Sequence, residues 1–272
     1  MLAPEERRPA VLDVIRAAHQ RLVLSLFRCN DFKVLDELAE ALKRKVRVQL
    51  LLTGHAKGWK KRLKELALFL ESMGAEVRRY GGPVAKYHAK YVVADDGPAL
   101  VASLNFTRKC FRATCDFLVV TFDPEVIAGL KRLFEADWRA PDSSFPEGLS
   151  ERLIVGPERA RAQIGAMLAG ARRSIRIIDH KLRDPAMLEL LKAKQAEGVV
   201  VEILGRGELG GLLAHGKMIL VDESAAIVGS IALSPPSLDA RREVAILVRE
   251  PSWVGRLNEF FQGLAHERAK VA

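Results

Sequence analysis

Cysteine is scarce in this 272-residue chain: Cys29, Cys110 and Cys115 are the three present, and no Cys-x-x-Cys spacing occurs. An odd, scattered set argues against both a disulfide framework and a thiolate zinc site, and it fits a reducing compartment. Low-complexity tracts are missing as well. No apolar run approaches the roughly 20 residues that cross a bilayer. The opening Met1-Leu-Ala-Pro-Glu-Glu-Arg-Arg lacks the apolar stretch of a secretory signal. These absences lead to the expectation of a soluble, cytoplasmic protein, held at most peripherally at the inner membrane surface.

Acidic residues are also in deficit. Lys and Arg number 43 against 34 Asp and Glu, a formal charge of +9. Such a chain favours polyanions, which are nucleic acid, an anionic membrane surface or phosphorylated substrates. A hydrophobic content of 49% with 28% charged residues is that of a globular protein able to bury a core.

The chain repeats itself. An offset of 127 residues superposes His88 on His215, Lys90 on Lys217, Asp95 on Asp222, Ser103 on Ser230 and Asp116 on Glu243, and carries Pro124 onto Pro251 without a gap. Upstream, Ile15–Leu24 resembles Met167–Arg176 at an offset of 152, each reading as a helix end entering a strand. The second half is then 25 residues shorter before its histidine, within the region of Gly54 to Gly82. Residues 140–150 are rich in Pro, Ser and Gly. The expected organisation is therefore a lobe over 1–140, a linker over 141–152 and a second lobe over 153–272.

Short β-branched runs predict strands at 46–52, 91–94, 99–102 and 117–122, with counterparts at 199–204, 218–221, 226–229 and 244–248. Helices are expected at 32–44 and 185–197, and one opens at Pro124 and another at Pro251. The fold class is α/β, with two pseudo-symmetric sandwich lobes carrying mixed sheets and packed face to face.

The chemistry concentrates in His88-Ala-Lys90-Tyr-Val-Val-Ala-Asp95 and His215-Gly-Lys217-Met-Ile-Leu-Val-Asp222. In extended backbone, His and Lys two apart share a face. The ammonium neutralises phosphoryl oxygens, and the imidazole reaches phosphorus or a leaving oxygen. Ser103 and Ser230, each after a small residue, are placed to donate to the same oxygens, as is Asn105, whose counterpart is Ala232. Asp116 and Glu243 stand 28 residues beyond their histidines and suit the orientation of an imidazole through Nδ1. Either acid could serve its own histidine or the opposite one.

The paired His-x-Lys-x(4)-Asp, each followed by a small-Ser element, resembles the phospholipase D superfamily over roughly residues 10–140 and 153–265. That resemblance implies a metal-independent phosphodiesterase or phosphatidyltransferase working through a covalent phosphohistidine, with no cofactor. It implies His88 as nucleophile and His215 as general acid, with Lys90, Lys217, Ser103, Ser230 and Asn105 holding phosphoryl oxygens. Asp95 and Asp222 would fix the loop after each strand. Ala232 and Asp116 depart from the usual Asn and Glu. The expected substrate is an anionic phospholipid, with nucleic acid cleavage as the alternative. Two motifs in one chain mean that no partner protein is required to complete the site.

Other features carry less. Lys57–Leu70 reads as a basic amphipathic helix with Trp59 at its start, suited to packing with its lysines in water or to a membrane surface. His19, His55 and His266 show no paired spacing. Asp179-His180-Lys181 falls at a strand end, where it could border the site.

Overall fold

Strands form where the sequence is β-branched and apolar, and they stop where Asp, Gly or Pro interrupts. The computed structural model describes residues 3–139, 144–205 and 207–271. The first half builds a six-stranded mixed sheet in the order Glu76–Arg79, Arg47–Leu52, Arg21–Leu26, Tyr91–Ala94, Ala99–Ala102, Leu118–Thr121. The first three are parallel, and the last three run antiparallel to their neighbours. The second half repeats this plan with Val200–Leu204, Ser174–Asp179, Lys217–Val221, Ala225–Gly229 and Arg241–Val248, and adds Leu153–Gly156 on the last strand. Helices Phe32–Lys43, Pro185–Ala196, Pro124–Arg139 and Pro251–Val271 lie where expected. The α/β class with mixed sheets is therefore as read from sequence.

Strand register corrects the upstream alignment. Leu22 pairs with Ala94 and Ile175 with Val221. Equivalent positions before the histidines are thus 153 apart rather than 152, and the second half is 26 residues shorter rather than 25. From sequence the helix-to-strand turns align one residue out, because both read as short polar stretches before an apolar run. The extra length in the first half carries helix Lys60–Ser72, which buries Leu63, Leu66, Ala67 and Leu70 and turns its lysines outward.

Asp95 and Asp222 explain why each turn is held. Both have left-handed backbone, with φ of 47° and 54°, a conformation that Asp tolerates better than most residues. The Asp95 carboxylate accepts from the backbone N–H groups of His19, Gln20 and Arg21 at 2.6–2.9 Å. Asp222 accepts from those of Arg172, Arg173 and Ser174. Each aspartate ties the start of the first strand of its sheet to the far end of the motif strand.

One face of each sheet is covered by the helices of its own half. The opposite faces share a single core, in which Tyr91, Val101, Phe117 and Phe134 meet Met218, Val228, Val244 and Phe261. Two short cross-pairings complete the joint. Lys86–Tyr87 adds in parallel to Arg241–Arg242, and Leu213–Ala214 adds in parallel to Thr114–Cys115. These are the same interaction made twice, exchanged between the halves. Gly216 allows the second one. A Cβ there would lie 2.7 Å from the Cys115 carbonyl oxygen that its N–H bonds, where the first half tolerates Ala89. Of the expected linker, residues 144–152 form no helix or strand, and its positions up to 143 lie outside the described residues.

Replacing Asp95 or Asp222 by Ala removes three accepted backbone bonds and leaves a β-carbon at positive φ. Each variant is expected to lose about 2 kcal/mol in urea unfolding. Equal stability to the parent would contradict the clamp.

Candidate active site

Each motif histidine emerges directly from a cross-pairing. The His88 N–H donates to the Arg242 carbonyl, and Gly216, just after His215, donates to that of Cys115. The residue that follows each of those carbonyl-bearing residues is an acid, Glu243 after Arg242 and Asp116 after Cys115. Backbone pairing between halves therefore places each acid beside the other half's imidazole.

The contacts follow that placement. His88 Nδ1 lies 2.9 Å from Glu243 Oε2, and His215 Nδ1 lies 2.9 Å from both Asp116 oxygens. Of the two arrangements open from sequence, the structure has the crossed one. Both acids are fully buried yet held below the usual carboxylate range. Burial raises Glu243, but the His88 ring, Lys90 and the Ser237 hydroxyl outweigh it and bring it down to about 2. Asp116 is lowered against burial by His215, Ser103 and Thr114. Ionised carboxylates only accept, so each Nδ1 carries a proton and donates it, and Nε2 on the far side of the ring carries the lone pair.

Burial pulls the His88 imidazole down to about 3, with Lys90 and Lys217 adding to the effect and Glu243 opposing it. His215 is lowered by burial and by Lys217 and Lys90, again against its acid. Each ring thus feels the lysine of the other motif as well as its own. Lys90 is buried, its ammonium donating to the His88 carbonyl at 2.6 Å and sitting 5.2 Å from the centre of the Phe27 ring. Lys217 donates to the His215 carbonyl at 2.6 Å. With the carboxylates spent on the imidazoles, the ammonium groups give the pocket a surplus of positive charge.

Ser103 and Ser230 require a correction. Both were expected on phosphoryl oxygens, but both are fully buried. Ser103 Oγ donates to Asp116 Oδ1 at 2.7 Å and accepts from the Phe117 N–H. Ser230 Oγ contacts the Val244 carbonyl and accepts from its N–H. A hydroxyl has one proton to give, so Ser103 braces Asp116 directly, while Ser230 holds the backbone of Val244, next to Glu243. Asn105 differs: its Oδ1 is buried without a hydrogen-bond partner, which leaves the amide uncommitted.

Ser237, Thr114 and Phe27 carried no sequence signal, whereas the Asp179-His180-Lys181 strand end does border the site, as its position suggested. Ser237 Oγ donates to Glu243 Oε1 at 2.7 Å and accepts from the Ala232 N–H, and Thr114 Oγ1 donates to Asp116 Oδ2 at 2.5 Å. Phe27 meets the His88 ring edge-on at 4.5 Å, and His180 stacks on His215 at 5.9 Å. Phe27-Arg28 and His180-Lys181 are themselves 153 residues apart, a third repeated element that the misplaced offset concealed. Asp179 accepts from the N–H groups of Lys181 and Leu233 and holds that corner. His19, His55 and His266 are exposed.

Cys110, Asp116 and His215 bring ligand atoms within 4.8 Å of one another. Both Asp116 oxygens already accept from His215, and from Ser103 and Thr114 besides, so the carboxylate serves the imidazole. Trp59 is half-buried and packs against Phe27, Ala56 and Leu63. No helix among the described residues is long and apolar enough to cross a membrane.

A neutral His88 held to Glu243 has a direct signature. In nitrogen-15 histidine spectra, the His88 ring is expected to stay in the Nδ1–H tautomer from pH 5 to pH 8. Titration near the ordinary histidine value of about 6.5 would contradict the electrostatics above.

Comparison with known proteins agrees with this geometry. Residues 11–138 match the family model described as cardiolipin synthase, PLD-like domain. Cardiolipin synthase B of Salmonella typhi is 24% identical across 94% of this chain and 77% of its own length. A polyphosphate kinase of Mycolicibacterium gilvum is 27% identical across 74% of this chain, which spans about a third (32%) of that protein. Among solved structures, the polyphosphate kinase of Porphyromonas gingivalis superposes with a TM-score of 0.76 at 18% identity, covering 93% of this chain and 44% of that one. The phosphatidylserine synthase of Haemophilus influenzae superposes with a TM-score of 0.71 at 12% identity, covering 92% and 82%. The doubled motif, the domain matched over residues 11–138 and the shared fold agree in making this chain similar to the phospholipase D superfamily.

Proposed function

We propose that this chain is a metal-independent phosphodiesterase or phosphatidyltransferase whose substrate is an anionic phospholipid. The observation that carries the reading is the pair of imidazoles, each anchored at Nδ1 by a carboxylate of the opposite half, with a lysine two residues further on. Lipid is favoured over nucleic acid because cardiolipin synthase B aligns with nearly the whole chain. The reaction needs no second protein, and the positive charge suits work at the inner membrane surface.

His88 Nε2 attacks phosphorus and forms an N–P bond while the bond to the leaving oxygen breaks. His88 is the nucleophile because its ring is held neutral, so its lone pair is available at neutral pH. His215 enters the step protonated and passes its Nε2 proton to the departing alkoxide. Binding of the substrate anion favours that protonated state, as does Asp116. In the second step, neutral His215 takes the proton of the incoming water or alcohol. That oxygen displaces His88 from phosphorus, which restores both rings. Lys90, Lys217 and the Asn105 amide hold the non-bridging oxygens as charge builds on them. Ser103 and Thr114 act through Asp116, and Ser237 through Glu243, as positioning residues.

Turnover of bis(p-nitrophenyl) phosphate is expected to survive EDTA. His88→Ala should lower it by about 10³-fold or more, with an unchanged circular dichroism spectrum. His215→Ala should accumulate an acid-labile phosphoryl adduct on His88. Metal dependence, or near-parental turnover by His88→Ala, sinks the mechanism. A parallel panel of anionic phospholipid vesicles and DNA decides the substrate, and salt-sensitive DNA cleavage without lipid turnover would transfer the reading to a nuclease.

A further inference from the structure

The strand that carries Glu243 is held by a buried ion pair whose counterparts on the exchanged side are uncharged. Arg242 stands one residue before that acid, and Asp137 lies near the end of the first-half helix Pro124–Arg139; both side chains are buried. Arg242 Nε donates to Asp137 Oδ1 at 3.0 Å. Its Nη1 donates to the Gly156 carbonyl at 2.9 Å and to Glu158 Oε2 at 2.5 Å, while the Phe145 ring lies 5.7 Å from the guanidinium. At the offset of 127 the pair corresponds to Cys115 and Leu264. The strand Thr114–Cys115 is held through its backbone instead, where Arg7 donates to the Thr114 carbonyl at 2.6 Å.

Stability alone gives no reason for the pair. Taking a carboxylate and a guanidinium out of water costs about as much as their attraction returns, and apolar residues of similar volume often serve as well. Cys115 and Leu264 show that the fold accepts uncharged residues at these positions. Asp137 gives one oxygen to Arg242, and the other, Oδ2, is buried without a hydrogen-bond partner. What the pair fixes is the main chain of Arg242. That carbonyl accepts from the His88 N–H at 2.8 Å, and the next residue, Glu243, meets His88 Nδ1 at 2.9 Å. One residue thus controls His88 twice, at its backbone and, through its neighbour, at its ring. Burial pushes the Asp137 carboxyl up to about 7 against the pull of Arg242, so the group is ionised above neutrality.

We propose that Asp137, acting through Arg242, is a positioning residue for the nucleophile. It sets the strand Arg241–Val248 so that Glu243 meets Nδ1 and leaves Nε2 directed at phosphorus. A charge-assisted hydrogen bond imposes a direction that an apolar contact does not. The lock serves one imidazole of the two, the one that must approach phosphorus in line. The inference rests on the proposed function for the part that His88 plays, while the geometry it sets is readable without turnover.

The test sets two variants beside the parent at about pH 8, where Asp137 is ionised. The readouts are nitrogen-15 spectra of the His88 ring and turnover of bis(p-nitrophenyl) phosphate. Asp137→Leu/Arg242→Cys installs the residues of the second half and removes both charges of the pair together. It is expected to unfold at a urea concentration close to the parent's and to show mixed Nδ1–H and Nε2–H tautomers at His88. Its kcat should fall at least about ten-fold with KM within about three-fold, and His215 should keep its parental signals. Asp137→Asn keeps the shape and an acceptor for Arg242 Nε but not the charge, and should fall between the parent and the double variant. A folded double variant with the parental His88 spectrum, or with parental kcat, overturns the role. If that variant does not fold, Asp137→Asn with a parental His88 spectrum overturns it. A parent without turnover removes the proposed function and leaves the spectra to decide the role of Asp137.

Discussion

Everything in the site depends on an exchanged hydrogen bond between carboxylate and imidazole. Glu243 belongs to the second half and fixes His88 of the first; Asp116 belongs to the first half and fixes His215 of the second. Neither acid could reach its ring without the strand pairings at Lys86–Tyr87 and Leu213–Ala214, which set the distance through backbone rather than through flexible side chains. Backbone bonds of this kind position a group within tenths of an ångström, which is the tolerance that proton transfer demands. The shared core of Phe117, Met218, Val244 and Phe261 supplies the burial that holds these short pairings closed.

Burial then decides the electrostatics. Taking His88 out of water disfavours its cation, while Glu243 stays ionised because His88, Lys90 and Ser237 serve its oxygens. Lys90 is more exposed to the consequences. Its ammonium is buried against Phe27 with a carbonyl as its main partner, and burial lowers its affinity for the proton. Under the proposed function, a phosphoryl group entering between Lys90 and Lys217 supplies negative charge to both. The unoccupied pocket is thus electrostatically unfavourable in the sense that a bound phosphate reverses, which favours tight complementarity where charge develops.

Much of this was legible in the sequence, and the reasons are specific. The motif strands Tyr91–Ala94 and Lys217–Val221 stood out because four buried apolar residues lie between a lysine and an aspartate that the fold needs at fixed places. The aspartates were expected as loop ties only through the resemblance to the phospholipase D superfamily, and their left-handed backbone supplies the physical reason. The crossing of the acids was not readable, since a linear offset cannot distinguish a contact within a half from its exchanged twin. Two-residue strands such as Thr114–Cys115 are too short to show periodicity. Ser103 and Ser230 misled because a hydroxyl after a small residue looks the same facing a substrate or facing a neighbouring strand. Ser237 has Cys110 as its counterpart, so the repeat itself hid it.

The reciprocal strand exchange has an evolutionary corollary. An interaction made twice with roles swapped is the geometry of an isologous interface between identical subunits, here joined covalently. Once the two copies reside in one gene, they can diverge, as Ala232 opposite Asn105 and Thr114 opposite Arg241 illustrate. Fusion relaxes the symmetry that a homodimer would impose, so one imidazole can specialise in attack and the other in proton transfer.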